Sequence, residues 1–497
     1  MRRLAIVFVA CLFALAYFVR VASNPNENSR MAPVLAAFWQ GTLSIDAYAS
    51  DGPTSTTDRS VRGGRAYSDK APGTSMLAAL GYAPLYLVER LTHREAPYGV
   101  RKWCMTVAAV AIPLAAALCA LFSLVSTSAG LRAAAAITAL ALFATPLLPF
   151  GSALVGHALA GALLFLAFAV IRRAAERPAP TRWRDLAAAG ALLGLVAATE
   201  FPAVPAALLV IAYGLVRLGR RGELGRARTW VAPVLGAAPF AVGLALWNLA
   251  CFGSPFSLGY QHLAVPVYRS IHSHGLVGVN LPRLDVLYYL TVHPARGLFA
   301  GAPVLLLALP GLWAMARREG WRLEALLCLA VSCSFLAINA GFPEWWGGYS
   351  YTARHLVPAV PFLVLPIAFL SRRWLWVGIP LTMASVVQPL AAAFTGPFTA
   401  DGPLVRLLAR ADSGHQLLPW GAWPLADQLW SELSTRAGEV DWPAYAPNGG
   451  RVLGLRGPAS ALPLLVGSWT LLWMAARTIR QRKPGGAGEV APTAMGS

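Results

Sequence analysis

The feature that most constrains this chain is the recurrence of long stretches without a single charge. "LAIVFVACLFALAYFV" (4–19) and "MTVAAVAIPLAAALCALFSLV" (105–125) are two of them. A hydrocarbon core of about 30 Å is crossed by about 20 apolar residues in a helix. In lipid a helix satisfies every backbone N–H and C=O internally, so repeated runs of this kind predict a polytopic helical membrane protein. Hydrophobic residues make up 57% of the 497 and charged ones only 13%, which leaves no comparable alternative.

Charge then orders the runs. The net charge of +19 is spread over short arginine-rich loops: 172–185, 217–228, 317–322, 371–373 and the tail from 477. That pattern is the positive-inside rule, with anionic lipid headgroups as counter-charge, and it does not call for nucleic acid. Segment 1 (4–22) is read as a retained span starting in the cytoplasm, because Arg20 and a weak small-residue site argue against signal cleavage. About 13 apolar runs follow from the pattern. From residue 155 the alternation is regular, with long loops 252–296, 342–354 and 396–457 on the outer side. Between segment 1 and residue 155 the parity fails. Three apolar runs (76–91, 103–125, 131–148) lie where an even number of crossings is needed, so one of them, with 76–91 the first candidate, is bent or only half inserted.

The chain is accordingly divided into a transmembrane module (1–395) containing outer loops 23–75 and 252–296, an extracytoplasmic cap (396–457), a last span with a basic end (458–483) and a disordered tail (484–497). The six cysteines lie in or beside apolar runs, without metal spacing, and read as packing residues.

Chemistry points to the first outer loop. It holds Glu27, Asp46, Asp51, Asp58 and Asp69 with Lys70, Arg30, Arg59, Arg62 and Arg65. Basic groups can hold a phosphate while acids handle a proton or a metal. A merely solvated loop would have the same composition. The motifs "NPNENSRM" (24–31), "GGRAYSDKAPG" (63–73) and "FPEWWGGYSYTARHLVPAVPFLVLPIA" (342–368) sharpen the choice. Taken in order, with "FGSPFSLGYQH" (252–262) and "HPARGLFAGAPVLLLALPGL" (293–312), they resemble the integral-membrane glycosyltransferases of the GT-C superfamily. The nearest pattern is that of the protein O-mannosyltransferase and aminoarabinose lipid A transferase type. The shared elements are acid-x-x-Arg after the first span, here Glu27 and Arg30, and aromatic-x-acid-Lys-x-Pro, here Tyr67, Asp69, Lys70 and Pro72.

This resemblance implies an all-α GT-C fold of about 11–13 transmembrane helices with a helical first periplasmic loop. It implies a bacterial cytoplasmic (inner) membrane enzyme whose site faces the periplasm or cell exterior. The donor would be a sugar on polyprenyl phosphate and the acceptor a hydroxyl on a lipid, glycan or protein. The reaction would be an inverting displacement with a carboxylate as general base. Glu27 is the base by position, although the family carries Asp there, and Asp46 in "SIDAY" is its rival. Lys70 matches the lysine on the carrier phosphate, and Arg354 is a second phosphate candidate. Arg30, Asp58, Tyr67, His157 and Trp346 are further substrate-binding candidates; Asp58 could equally cap a short helix, and Trp346 could be an interfacial anchor. No cofactor is required by any motif. A divalent metal is left open, with Asp69 and His262 as its ligands.

The physics agrees. A phosphate leaving group needs cations rather than a proton, and the acceptor alcohol needs a carboxylate within hydrogen-bond reach. No glycine-rich nucleotide loop appears, as a lipid-linked donor would require. The rival function is a transporter or flippase, which would place ionisable residues at mid-membrane and usually carry internal repeats. Neither is visible in the sequence.

Overall fold

The computed structural model describes residues 2–21, 23–275, 277–293, 296–348, 350–398, 448–455 and 457–477. The cap assigned to 396–457 and the tail from 484 therefore fall almost wholly outside the described residues.

The first part runs α1 (Arg2–Leu15), α2 (Pro25–Gln40), α3 (Asp46–Ala49), a hairpin of β1 (Arg59–Arg62) and β2 (Arg65–Ser68), and α4 (Gly73–Thr92). Then come α5 (Tyr98–Thr106) and α6 (Ile112–Ala129), joined by a π-helical turn at Val107–Ala111, followed by α7 (Leu131–Phe143), α8 (Leu147–Gly151), α9 (Gly156–Glu176), α10 (Trp183–Thr199), α11 (Val204–Gly219) and α12 (Ala227–Phe252). The second part holds α13 (Pro266–Ser273), α14 (Leu284–Thr291), α15 (Leu298–Gly301), α16 (Ala308–Ala316), α17 (Arg322–Ala340), α18 (Val360–Val364), α19 (Leu375–Thr395), α20 (Gly449–Val452) and α21 (Leu462–Ala476). Among the described residues, 7 helices are long and apolar enough to cross a membrane, the longest being Tyr98–Ala129, and three shorter apolar helices accompany them. The polytopic helical fold read from the sequence is the fold observed.

Helix α4, which contains the run 76–91 singled out by the parity conflict, is not one of those 7. Gly73, at its start, lies against Ala198 and Thr199 at the end of α10. Just beyond its other end, Gly99 packs on Val21 and Arg20, past the end of α1. The start of α4 thus lies by the end of α10, and the head of α5 that follows it lies by the segment after α1. Leu80, Leu87, Val88 and Leu91 are exposed on α4. At spacings of 7, 8 and 11 they share one face, the stripe expected of a helix lying in an interface.

The opposite end gathers the arginine loops. Buried Glu324 on α17 meets Arg172 of α9 (2.5 Å) and Arg217 of α11 (3.0 Å), and accepts from the Tyr213 hydroxyl at 2.8 Å. Arg172 also lies over the Trp321 ring, 3.7 Å from its centroid.

Close packing is supplied by small residues. A Cβ on Gly236 of α12 would lie 1.9 Å from the Ala187 carbonyl oxygen of α10, and one on Gly190 would lie 2.0 Å from that of Pro233. Small side chains let membrane helices approach this far, and packing rather than hydrophobicity holds such pairs together. Gly236→Ala is expected to separate α10 from α12 and to cost about 1–3 kcal/mol, read as a lower unfolding temperature in detergent. An unchanged midpoint would refute the close approach.

Candidate functional site

The hairpin builds the site. Gly63 and Gly64 have φ of 58° and 77°, the left-handed pair that a two-residue turn matched to strand twist requires. The turn sets a register in which Arg62 faces Arg65 and Arg59 faces Ser68. The residues just past the last pair, Asp58 on one side and Asp69–Lys70 on the other, are thereby brought together. Lys70 Nζ lies 2.9 Å from Asp58 Oδ2 and 2.7 Å from Asp69 Oδ2. Ser29 of α2 donates to Asp69 Oδ1 at 2.8 Å. Loop 252–296 closes over the hairpin: Ser60 Oγ donates to the Gly259 carbonyl at 2.6 Å and Ala264 N to that of Arg59 at 3.0 Å.

Helix α2 supplies the next cation. Asn24 caps it, accepting from the backbone N–H of Asn26 and Glu27, and Pro25 occupies its first turn. Arg30, one turn in, is buried and donates to Glu200 Oε1 at 2.9 Å. Glu200 stands between α10 and α11, 3.5 Å from His157 Nδ1 at the start of α9. The His157 and His355 rings are 4.9 Å apart. Arg354 lies within the electrostatic reach of Asp58, Arg30, Glu200 and Glu344. Three elements and three distant loops thus converge on one cluster of cations, carboxylates and imidazoles.

Electrostatics follow from that crowding. Burial alone would lower the Lys70 pKa, but Asp58 and Asp69 reverse this and raise it above the ordinary lysine value. Burial would raise Asp58, yet Lys70 beside it holds the carboxyl below its usual range. Glu344 is pushed up, chiefly by burial and only partly relieved by Lys70. The Tyr260 phenol, buried beside Glu200 and Lys70, is pushed up to about 12. Lysine and Asp58 are therefore both charged at neutral pH. Arg30 Nε, His157 Nε2 and Arg354 Nε are buried without a hydrogen-bond partner among the described residues. Buried donors are almost always paired, so three orphans in one cluster mark a place where an anion or a polar ligand fits.

The other sequence candidates lie as follows. Glu27 is buried below the cluster, with Oε2 3.2 Å from Lys102 Nζ and Oε1 accepting from Leu154 N at 2.9 Å. Asp46 accepts from Ser44 Oγ at 2.5 Å and from Ala66 N at 2.8 Å, bracing the hairpin. Tyr67 meets Phe252 edge-on, with ring centroids 6.0 Å apart. His262 is 2.8 Å from Ser257 Oγ and stacks on Phe252, so its ring is engaged there while Asp69 turns to Lys70 and Ser29. Among the described residues no three His, Cys, Asp or Glu side chains are grouped as metal ligands. Trp346 stands perpendicular to Trp345, which stacks on Tyr289. Sequence reasoning missed Tyr260, Glu344 and Lys102. The first two lay inside quoted motifs, "FGSPFSLGYQH" and "FPEWWGG"; Lys102 carried no signal beyond a basic pair with Arg101 at the head of an apolar run.

Compared with solved structures, the chain is similar to ArnT from Cupriavidus metallidurans in the apo state. The TM-score is 0.51 at 18% identity, covering 96% of this chain and 75% of that one. The same protein bound to undecaprenyl phosphate gives 0.49 at 16%, covering 96% and 76%. Archaeal oligosaccharyltransferase AglB from Archaeoglobus fulgidus, in complex with an inhibitory peptide and a dolichol-phosphate, gives 0.42 at 12%, covering 84% and 60%. No protein-family model and no curated protein matches. The fold of this chain is thus similar to that of ArnT, a likeness that extends over 96% of its length.

Proposed function

We propose that this chain is a membrane glycosyltransferase that moves a sugar from a polyprenyl-phosphate carrier to an acceptor hydroxyl, at the membrane face opposite the arginine loops. One observation carries the reading: Lys70 is held between two carboxylates while Arg30 and Arg354 keep unpartnered buried donors, and His157 an unpartnered ring nitrogen, in the same cluster. In the proposed reaction the acceptor oxygen attacks the anomeric carbon and the bond from that carbon to the phosphate oxygen breaks. The carrier phosphate leaves as an anion, held by Lys70 and Arg354 with Arg30 behind them. Fixed cations in a water-poor site stabilise charge as it develops, and guanidinium presents paired donors to phosphate.

The acceptor proton is assigned to Asp58. Its carboxylate is more accessible than that of Asp69, at 29% against 5%, and it is ionised beside Lys70. Glu27 and Asp46 each have both oxygens already engaged, so their proposed roles are to fix α2 and the hairpin. The inner membrane as location, the sugar's class and the choice among lipid, glycan and protein acceptors belong to the same proposal.

The test uses purified protein and a radiolabelled polyprenyl-phosphate sugar, following release of free carrier phosphate. Asp58→Asn is expected to lower turnover by about 10²–10⁴-fold. Glu27→Gln and Asp46→Asn should lose less than about tenfold per folded molecule, the milder loss expected of groups acting through geometry. Because Lys70 holds Asp58 in its charged form, the acid limb of kcat/KM should fall below the usual aspartate pKa of about 3.9. Full activity in Asp58→Asn would sink the assignment of the base. Absence of turnover with every carrier-linked sugar, in protein that moves such a lipid between leaflets, would favour the transporter.

A further inference from the structure

A groove lies at the arginine-rich end, away from the cluster just described. There the end of α11, the end of α16 and the start of α17 enclose a groove of about 530 Å³. Leu312, Trp313, Leu323, Leu326 and Leu329 form its apolar wall, and Arg220 and Arg322 stand at its mouth. Both arginines are exposed, and among the described residues neither makes an ion pair. The nearby acid, Glu324, is already committed to Arg172 and Arg217. Leu326 and Leu329, with Leu309 on the neighbouring helix, are exposed.

We propose that this groove binds an anionic glycerophospholipid from the leaflet on the arginine-rich side. Its phosphate would sit between Arg220 and Arg322, and an acyl chain would follow the groove. The dimensions suit this. Arg322 to Leu329 spans seven residues of α17, a depth of about 10 Å at 1.5 Å per residue, which is the headgroup-proximal part of an acyl chain. Polarity also fits, because the two unpaired cations stand at the helix ends and the leucines lie deeper. Basic pockets between membrane helices hold anionic headgroups in this way, each cation contributing about fivefold in affinity. The occupant argued for is a lipid rather than another helix, since two guanidinium groups and no carboxylate line the groove.

The experiment titrates purified full-length protein with phosphatidylglycerol and, separately, phosphatidylcholine, reading bound lipid by native mass spectrometry. Phosphatidylglycerol should bind at least tenfold more tightly. The preference should fall by about 25-fold or vanish in Arg220→Gln/Arg322→Gln, a variant expected to fold because both side chains are exposed and unpaired. Leu326→Trp, which fills the groove and keeps both cations, should also abolish the preference. Equal binding of the two lipids, or a preference kept by either variant, would overturn the proposal. So would undecaprenyl phosphate displacing phosphatidylglycerol at equal concentration, because the groove would then serve the carrier.

Discussion

Lys70→Met should lower turnover by about 10²–10³-fold, the effect of removing one preorganised charge-stabilising group, or about 3–4 kcal/mol of barrier. The loss should appear in kcat, because the phosphate gains charge chiefly as its bond to the sugar breaks. A second consequence distinguishes this variant from a simple binding defect. Without Lys70, burial of Asp58 is no longer offset by its main counter-charge, so the Asp58 pKa rises. The acid limb of the residual activity should then move upward, into or above the ordinary carboxylate range. Lys70→Arg keeps the charge but spreads it over a planar fork, and it should recover part of the rate. Folding should suffer as well, since two neighbouring carboxylates lose the cation between them. Turnover in Lys70→Met within threefold of the parent, with an unmoved acid limb, would defeat the proposed role.

Glu324→Ala should have the opposite profile: a large loss of stability and little change in chemistry per folded molecule. The carboxylate is 1% exposed and serves Arg172, Arg217 and Tyr213 together. Removing one partner of a buried pair strands the others, at a cost of about 3–5 kcal/mol. Stacking of Arg172 on Trp321 offsets part of this. Glu324→Gln retains hydrogen-bond acceptance and should fall between. The check is the unfolding midpoint in detergent together with turnover normalised to folded protein. A midpoint within a degree of the parent would mean that the three-helix clamp contributes nothing.

How much of this was legible beforehand depends on the range of the interaction. The many-helix bundle was legible, because each span must be apolar on its own account. The hairpin was not read: the first outer loop was expected to be helical, although Gly63 and Gly64 mark locally the turn that places Asp58 beside Asp69 and Lys70. What escaped were pairings across the chain. Glu27 and Arg30 are one turn apart and read as a motif, yet Arg30 reaches Glu200 while Glu27 reaches Lys102. Nothing in an i, i+3 spacing says which of two neighbouring charges faces the ligand. The course of α4 was read in part: charge parity had already pointed to 76–91 as the run that is bent or only half inserted, and the helix over that run is not among those long and apolar enough to cross.

Between the acid assigned to the proton and the cation assigned to the phosphate stand two short strands and a pair of glycines. The spacing of these two groups is therefore set first by the ladder, which the contacts from α2 and loop 252–296 then hold in place. Two chains of this kind could keep every charged residue and still differ in competence if one carried an odd number of inserted residues in a strand, because such a slip reverses which side of the ribbon each group occupies. Turn length and strand parity, more than a tally of acids and bases, are then the features by which working members of such a set would be told from silent ones.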